Sequence, residues 1–435
     1  MSGQRIWIRG GTVVCPASGF EGPGVVEIVG DTIAAVHPGT GPSNTPGRVI
    51  DADGAVVAPG FVDLHAHLGE PGDEYKEDLE TAGQAAVRGG FTSVCASPDT
   101  HPVNDSRAFT EYLVRRGAAT AAARILPIGA LTVGCEGKRL TEMYDLCAAG
   151  AVALGDGQRS VADAGLFRRA MEYAKAVGVP VFEFPEDASL SLGGVMHEGR
   201  VSTQLGLRGV PCAAEDVVVH RAIELVRHTG ARVHLGPIST HGAVMAVKRA
   251  KEQGLPLTCA VAAAQLHLLD ASIAESWSPH LHVRPPLRSE SHREALRVGL
   301  QEGVIDAVTS NHRPQGAVDK EVPFARAEPG MSGLQTTLGL VLRLVEQGIL
   351  SLSDAVARLA VGPADVLGMA AGRLTAGAKA DVVVFDPSVK VRVESAVLAS
   401  RSKNTPFLGQ ALPGRVLATL VGGRVAYGED DEVKL

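Results

Sequence analysis

The sequence holds no run of the roughly 20 apolar residues that a membrane-crossing helix needs, and its opening, MSGQRIWIRGG, lacks the apolar core of a secretory signal. Neither membrane insertion nor export is expected, and a cytoplasmic setting is. Its six cysteines (Cys15, Cys95, Cys135, Cys147, Cys212, Cys259) are scattered without a C-x-x-C pair, which argues for free thiols over a disulfide framework or a thiolate metal site. Positive charge is not in excess: 41 Lys and Arg face 48 Asp and Glu, and a net charge of -7 disfavours nucleic acid or anionic membrane as partner. Aromatic residues are 4% of the chain, a composition that suits tight packing of helices on strands. No G-x-G-x-x-G follows the first strand of an α/β unit, which weakens a dinucleotide-binding reading.

What is present is length and rhythm. The 435 residues are too many for one small core, so a large barrel-type domain with a smaller companion is expected. Residues 5 to 55 read as short β-branched runs broken by Gly and Asp, and the same texture returns in ADVVVFDP and RVLATLVGGRVAYG. Between them apolar strands alternate with helical stretches: FTSVCASPD then SRAFTEYLVRRGAATA, RILPIGAL then TEMYDLCAAG, AVALGD then AGLFRRAMEYAKAVG. About eight such units predict a (β/α)8 TIM barrel over 56–365, with 1–55 and 366–435 forming one composite β-sandwich domain. A doubly wound open sheet is the alternative. The tail GEDDEVKL reads as a solvated terminus.

Chemistry in such a barrel gathers at the C-terminal ends of its strands. The first strand, in FVDLHAHLGEPG, carries His65 and His67 one residue apart. A strand sends alternate side chains to one face, so both imidazoles point the same way, with Asp63 nearby, as in the beginning of a metal site. The later strand ends offer Asp99, Asp156, Glu186 and Asp187, His234 and Ser239, then Asn311 and His312.

APGFVDLHAHLGEPGDEYKEDLETAGQAAVRGGFTSV resembles the opening signature of the dihydroorotases, in the amidohydrolase superfamily. GGVMHEGRVSTQLGLRGVPCAAED, RPPLRSE and GMSGLQTTLGLVL resemble further blocks of that family, so the likeness runs from about residue 5 to about 425. It implies a barrel with a small β-domain from both chain ends, and one or two zinc ions activating water against a cyclic amide. Carried over position by position, it puts metal ligands on His65, His67 and Asp156. The family's remaining histidine ligands fall on Phe184 and Pro237, and its aspartate, both ligand and general base, falls on Asn311. Phenylalanine and proline cannot bind zinc, and neutral asparagine is no base. The arginine that grips the substrate carboxylate falls on Gly69, and the other substrate positions fall on Asp99, Arg284 and Gln315, all substituted.

The resemblance therefore implies a degenerate, non-catalytic dihydroorotase homologue, with zinc limited to at most one ion on His65, His67 and Asp156. Members of this family associate with aspartate carbamoyltransferase, so that enzyme, or a second copy of the chain, is the expected partner. The alternative is a cyclic amide hydrolase working through the reduced single-metal site. His234 and His312 read as buried, hydrogen-bonded histidines, and His280, His282 and His292 as surface loop residues. Glu186 and Asp187 read as helix-start residues, and GEPGDEYKEDLE as a mostly solvated acidic loop. The Gly-rich loop 190–212 and the loop at Trp277 are the expected contact surfaces.

Overall fold

The computed structural model describes residues 4–43 and 46–428; the acidic tail from Glu429 lies outside the described residues. Five strands open the chain: β1 Arg5–Cys15, β2 Phe20–Val29, β3 Thr32–Pro38, β4 Arg48–Asp51 and β5 Val56–Pro59. The barrel strands follow: β6 Phe61–Ala66, β7 Phe91–Ala96, β8 Arg124–Gly129, β9 Ala153–Gly155 and β10 Val181–Glu183. A short ribbon, β11 Met196–His197 with β12 Gly209–Val210, precedes β13 Val233–Leu235, β14 Leu257–Ala262 and β15 Ala307–Thr309. β16 Val382–Arg392, β17 Ala411–Val421 and β18 Arg424–Gly428 end the fold.

The eight strands from β6 to β15, without the ribbon, pair in parallel in chain order. The ring closes where the His65 N–H donates to Thr309 Oγ1 (3.2 Å), the His67 N–H donates to the His312 carbonyl (2.7 Å) and Ala66 bridges His312. The strand carrying both histidines is thus welded to the last strand. The intervening helices follow the amphipathic stretches: Arg107–Thr120 and Ala164–Val177 lie where the sequence places them, and His241–Glu252 continues the pattern. Asp163 and Thr240 cap two of them by accepting from the backbone of the first turn.

The other strands form one sheet in the order β18-β17-β16-β5-β1-β2-β3, with β4 against β1. Both chain ends therefore build one domain. β5, assigned by the sequence to the barrel, belongs here, because Val56–Pro59 pairs with β1 and with β16 before the chain enters the barrel at Phe61. The domain's own core is aliphatic, from Ile8, Ile28, Val57, Val382 and Leu420 among others. Three fully buried rings join it to the barrel floor: Phe61 meets Phe91 edge-on at 5.8 Å and Phe385 at 6.1 Å between centroids. Interlocked aromatic faces of this kind resist sliding of one body on the other.

Three local expectations change. GEPGDEYKEDLE is not mostly solvated: Glu70, Glu77 and Asp78 are buried, each held by donors. The Gly-rich stretch is not a plain loop, since it folds into the ribbon and the short helices Ala188–Ser191 and Arg200–Leu205. His282 is buried, and His292 lies on the helix Glu290–Gln301. Among the described residues, no helix is long and apolar enough to cross a membrane.

Candidate functional site

A narrow cleft with about 40 Å³ of accessible space opens at the C-terminal ends of the barrel strands, with His65 and His67 from β6 in its wall. Phe182, Glu183 and Phe184 enter from β10, Pro237 follows β13, and Asn311, His312 and Arg313 follow β15. His65, His67, Phe184, Pro237 and Asn311 thus converge on the cleft, whereas Asp156, Gly69, Asp99, Arg284 and Gln315 are not among its lining residues. What they present to one another differs from a metal cage.

Each inherited donor already has a protein partner. His67 Nε2 lies 3.1 Å from the Asp99 carbonyl, and burial lowers its pKa to about 4. His65 Nε2 lies 3.2 Å from His234 Nε2, the two rings stacked at 5.2 Å, so one imidazole donates to the other. Burial drives the pKa of His65 to about 3 and that of His234 well below the ordinary value, so both rings are neutral. Asp156 accepts from the Thr132 N–H (2.9 Å) and Oγ1–H (2.5 Å), and burial raises its carboxyl to about 6 despite those donors. Asp63, beside the histidines in sequence, is wholly buried and accepts from Thr309 Oγ1 (2.5 Å) and from Ser310 N (2.8 Å) and Oγ (2.5 Å). It ties β6 to β15 rather than facing the cleft.

Phe184 and Pro237 contribute no ligand atom. Asn311 sits at φ 46°, a left-handed conformation that asparagine tolerates, and donates its Nδ2–H to the Arg284 carbonyl at 2.9 Å. Among the described residues, the group of ligand atoms lying within 4.8 Å of one another does not include His65, His67 or Asp156; it comprises His197, Cys212 and His292, away from the cleft. Set against the six ligands that the resemblance implies, the donor set at the family's metal position does not fit a two-zinc centre.

The substituted substrate positions pair with neighbours. Asp99 accepts from Arg313 Nη1 at 2.9 Å and from Ser97 Oγ at 2.5 Å, and the nearby Arg313 guanidinium helps to hold its carboxyl well below the usual range despite burial. Arg284 donates to Glu186 at 2.5 Å and lies over the Phe184 ring at 5.4 Å. Gln315 donates its side-chain N–H to the Pro329 carbonyl at 2.9 Å. Gly69 sits at φ 72°, and a Cβ there would lie 2.3 Å from the Glu77 carbonyl oxygen. No arginine fits that place without moving the backbone.

Sequence reading overlooked two residues. Arg313 could have been found as the charge opposite Asp99, since both follow barrel strands at the catalytic end. Glu183, one residue before Phe184, lines the cleft, accepts from Ser160 Oγ (2.5 Å) and Arg221 Nη2 (2.8 Å), and is raised by burial to about 7. His234 and His312 are buried and hydrogen-bonded, as expected. So is the helix-start role of Asp187, which caps Ala188–Ser191.

Known proteins agree with this architecture. The "Dihydro-orotase-like" family model matches residues 54–243. A curated dihydroorotase of Anaeromyxobacter dehalogenans is 46% identical over 426 residues, covering 98% of each chain, and one of Citrifermentans bemidjiense is 42% identical over 431 residues, covering 98% of this chain and all of the other. Among solved structures, L-hydantoinase (dihydropyrimidinase) of Arthrobacter aurescens superposes with a TM-score of 0.88 at 23% identity, covering 100% and 97% of the chains, a likeness of fold alone. A barrel closed on its H-x-H strand, a small sheet built from both chain ends and relatives matched end to end lead to one placement: the chain belongs to the dihydroorotase family.

Proposed function

We propose that this protein is a dihydroorotase-family member of pyrimidine biosynthesis that no longer hydrolyses a cyclic amide and serves in the cytoplasm as an assembly subunit with aspartate carbamoyltransferase. The observation that carries this reading is the self-pairing of the inherited substrate positions, where Asp99 with Arg313 and Arg284 with Glu186 neutralise each other. Without a carboxylate grip and without a base at position 311, neither substrate orientation nor proton removal from water is supplied; a positioned base alone contributes about 10²–10⁴-fold. Assembly needs only the framework and the surface. The exposed Leu190, Leu192 and Trp277 on the catalytic-end segments are the contact region expected for such a role. Purified chain with added zinc is expected to give no measurable dihydroorotate turnover, and co-expressed carbamoyltransferase is expected to co-elute with it in size-exclusion chromatography. Robust turnover sinks the first half, and separate elution at micromolar concentration sinks the second.

One observation favours a second reading, a hydrolase of another cyclic amide on a single metal. Glu183 is a buried carboxyl in the cleft wall whose pKa of about 7 suits a general base. Turnover of any cyclic amide that disappears in Glu183→Gln would move this reading to first place.

A further inference from the structure

Outside the cleft, three segments bring His197, Cys212 and His292 together. His197 comes from the ribbon strand β11, Cys212 immediately precedes the helix Ala213–Thr229, and His292 lies in the first turn of Glu290–Gln301. Their ligand atoms lie within 4.8 Å of one another, Cys212 Sγ stands 3.3 Å from His292 Nε2, and the two imidazole rings meet edge-on at 5.3 Å. His197 is buried while Cys212 and His292 are half-buried, so the group can be reached from solvent yet is held by the fold. We propose that His197, Cys212 and His292 form a binding site for a thiophilic divalent cation of the zinc type, separate from the family's metal position and independent of the assembly reading.

One thiolate and two imidazoles are a three-donor set that leaves a fourth tetrahedral position for water. The surrounding hydrogen bonds describe the ion-free state. The His241 N–H donates to His292 Nδ1 at 2.9 Å, and Arg288 Nη1 faces His197 Nδ1 at 3.2 Å, so both rings carry their proton on Nε2. Binding through Nε2 moves each ring proton to Nδ1, and the Cys212 thiol proton leaves to solvent, one proton per ion. Each Nδ1–H then faces a donor, so the Arg288 guanidinium shifts off the His197 ring while keeping the Val210 carbonyl (2.9 Å), and the His292 ring tilts off the His241 N–H, which is exposed at the start of its helix and is met by water. Each exchange gives up a hydrogen bond, so the site is of moderate affinity. The nearby Arg288 charge opposes a cation, and the carboxylates of Glu198, Glu215 and Asp216 around Cys212 offset it.

Cobalt(II) titration of the full chain tests the proposal. The expected result is one equivalent bound with a near-ultraviolet thiolate-to-cobalt absorption, displaced by zinc. Cys212→Ser is expected to abolish the band, His292→Gln to weaken cobalt binding at least about tenfold, and His65→Gln to leave the band unchanged. No band with the native chain, or a band that survives Cys212→Ser, overturns the proposal, as does a band lost in His65→Gln. Should Cys212→Ser fail to fold, an undiminished affinity in folded His292→Gln overturns it equally.

Discussion

The seam between β6 and β15 and the opposite wall of the cleft, between β10 and β13, stand at the same height in the barrel and are built on opposite terms. At the seam, charges are buried and every one is met. Glu77 accepts from His312 Nε2 at 3.2 Å, from the Arg401 N–H at 3.0 Å, and from the Ser400 and Thr81 hydroxyls. His312 Nδ1 accepts from the Gly333 N–H, which fixes the Nε2–H toward Glu77. On the opposite wall one aromatic ring, Phe184, and one proline, Pro237, stand where ligands are expected, and Arg284 and Glu186 nearby pair with each other. Fold and chemistry therefore make separable demands on one barrel mouth: the seam must stay complete for the chain to close, while the wall changes without opening the ring.

The comparison breaks most visibly at Glu77. Glu77→Ala removes the acceptor that His312, the Arg401 N–H and the Ser400 and Thr81 hydroxyls share in a dry site and is expected to cost about 3–5 kcal/mol, read as a lower urea midpoint. A loss under 1 kcal/mol would show that the seam does not hold the fold. Next in size is Gly69→Arg, which restores the family's arginine in name only. Its left-handed backbone and the Glu77 carbonyl predict a loss of about 1–3 kcal/mol with no gain in dihydroorotate turnover, and a stable variant that turns over substrate would refute this.

Titration sharpens the contrast. Glu183, at about 7 in the fold against 4.5 for a free glutamate, keeps its proton while the unfolded chain loses it, so its contribution to stability declines as pH rises from 4.5 to 7. His65 and His67, lowered to about 3 and about 4, act oppositely: below 6.5 the unfolded chain takes up protons that the fold refuses, so stability rises with pH there. Glu183→Gln should thus steepen the rise of the thermal midpoint between pH 4.5 and 6.5. Superimposable profiles for the two proteins would contradict the burial of Glu183. The smallest effect is expected at Arg313→Ala, a partly solvated pair worth about 0–1 kcal/mol, and a double-mutant cycle with Asp99→Ala measures it. Asp99 follows β7 and Arg313 follows β15, so a coupling well above that range would extend the seam's tight pairing to its solvent-facing flank.

The alternation of apolar runs and amphipathic helices made the barrel legible, because a parallel strand buried on both faces and a helix packed on it leave distinct periods in sequence. The H-x-H spacing likewise located the cleft. What the sequence concealed was pairing at long range. Asp63 and Glu77 looked like a would-be ligand and a solvated acid, and only the closed ring shows their donors on Ser310 and Arg401. The Cys212 cluster was hidden for the same reason, since its members lie on three segments with no recognisable spacing. Position 56 was misassigned because a strand's texture does not reveal which sheet it joins.

The placement of β5 between β1 and β16 has a consequence for synthesis. The first hairpins can pair as soon as they leave the ribosome, but their inner edge, Val56 to Pro59, waits for β16 from the far end of the chain. Until then an apolar strand edge stands open, and Phe61 lacks Phe385. Such an edge invites pairing with another nascent chain. A nascent chain of this protein is thus expected to lean on chaperones until its last strands emerge, and a product ending before residue 382 is expected to aggregate rather than persist as a free barrel.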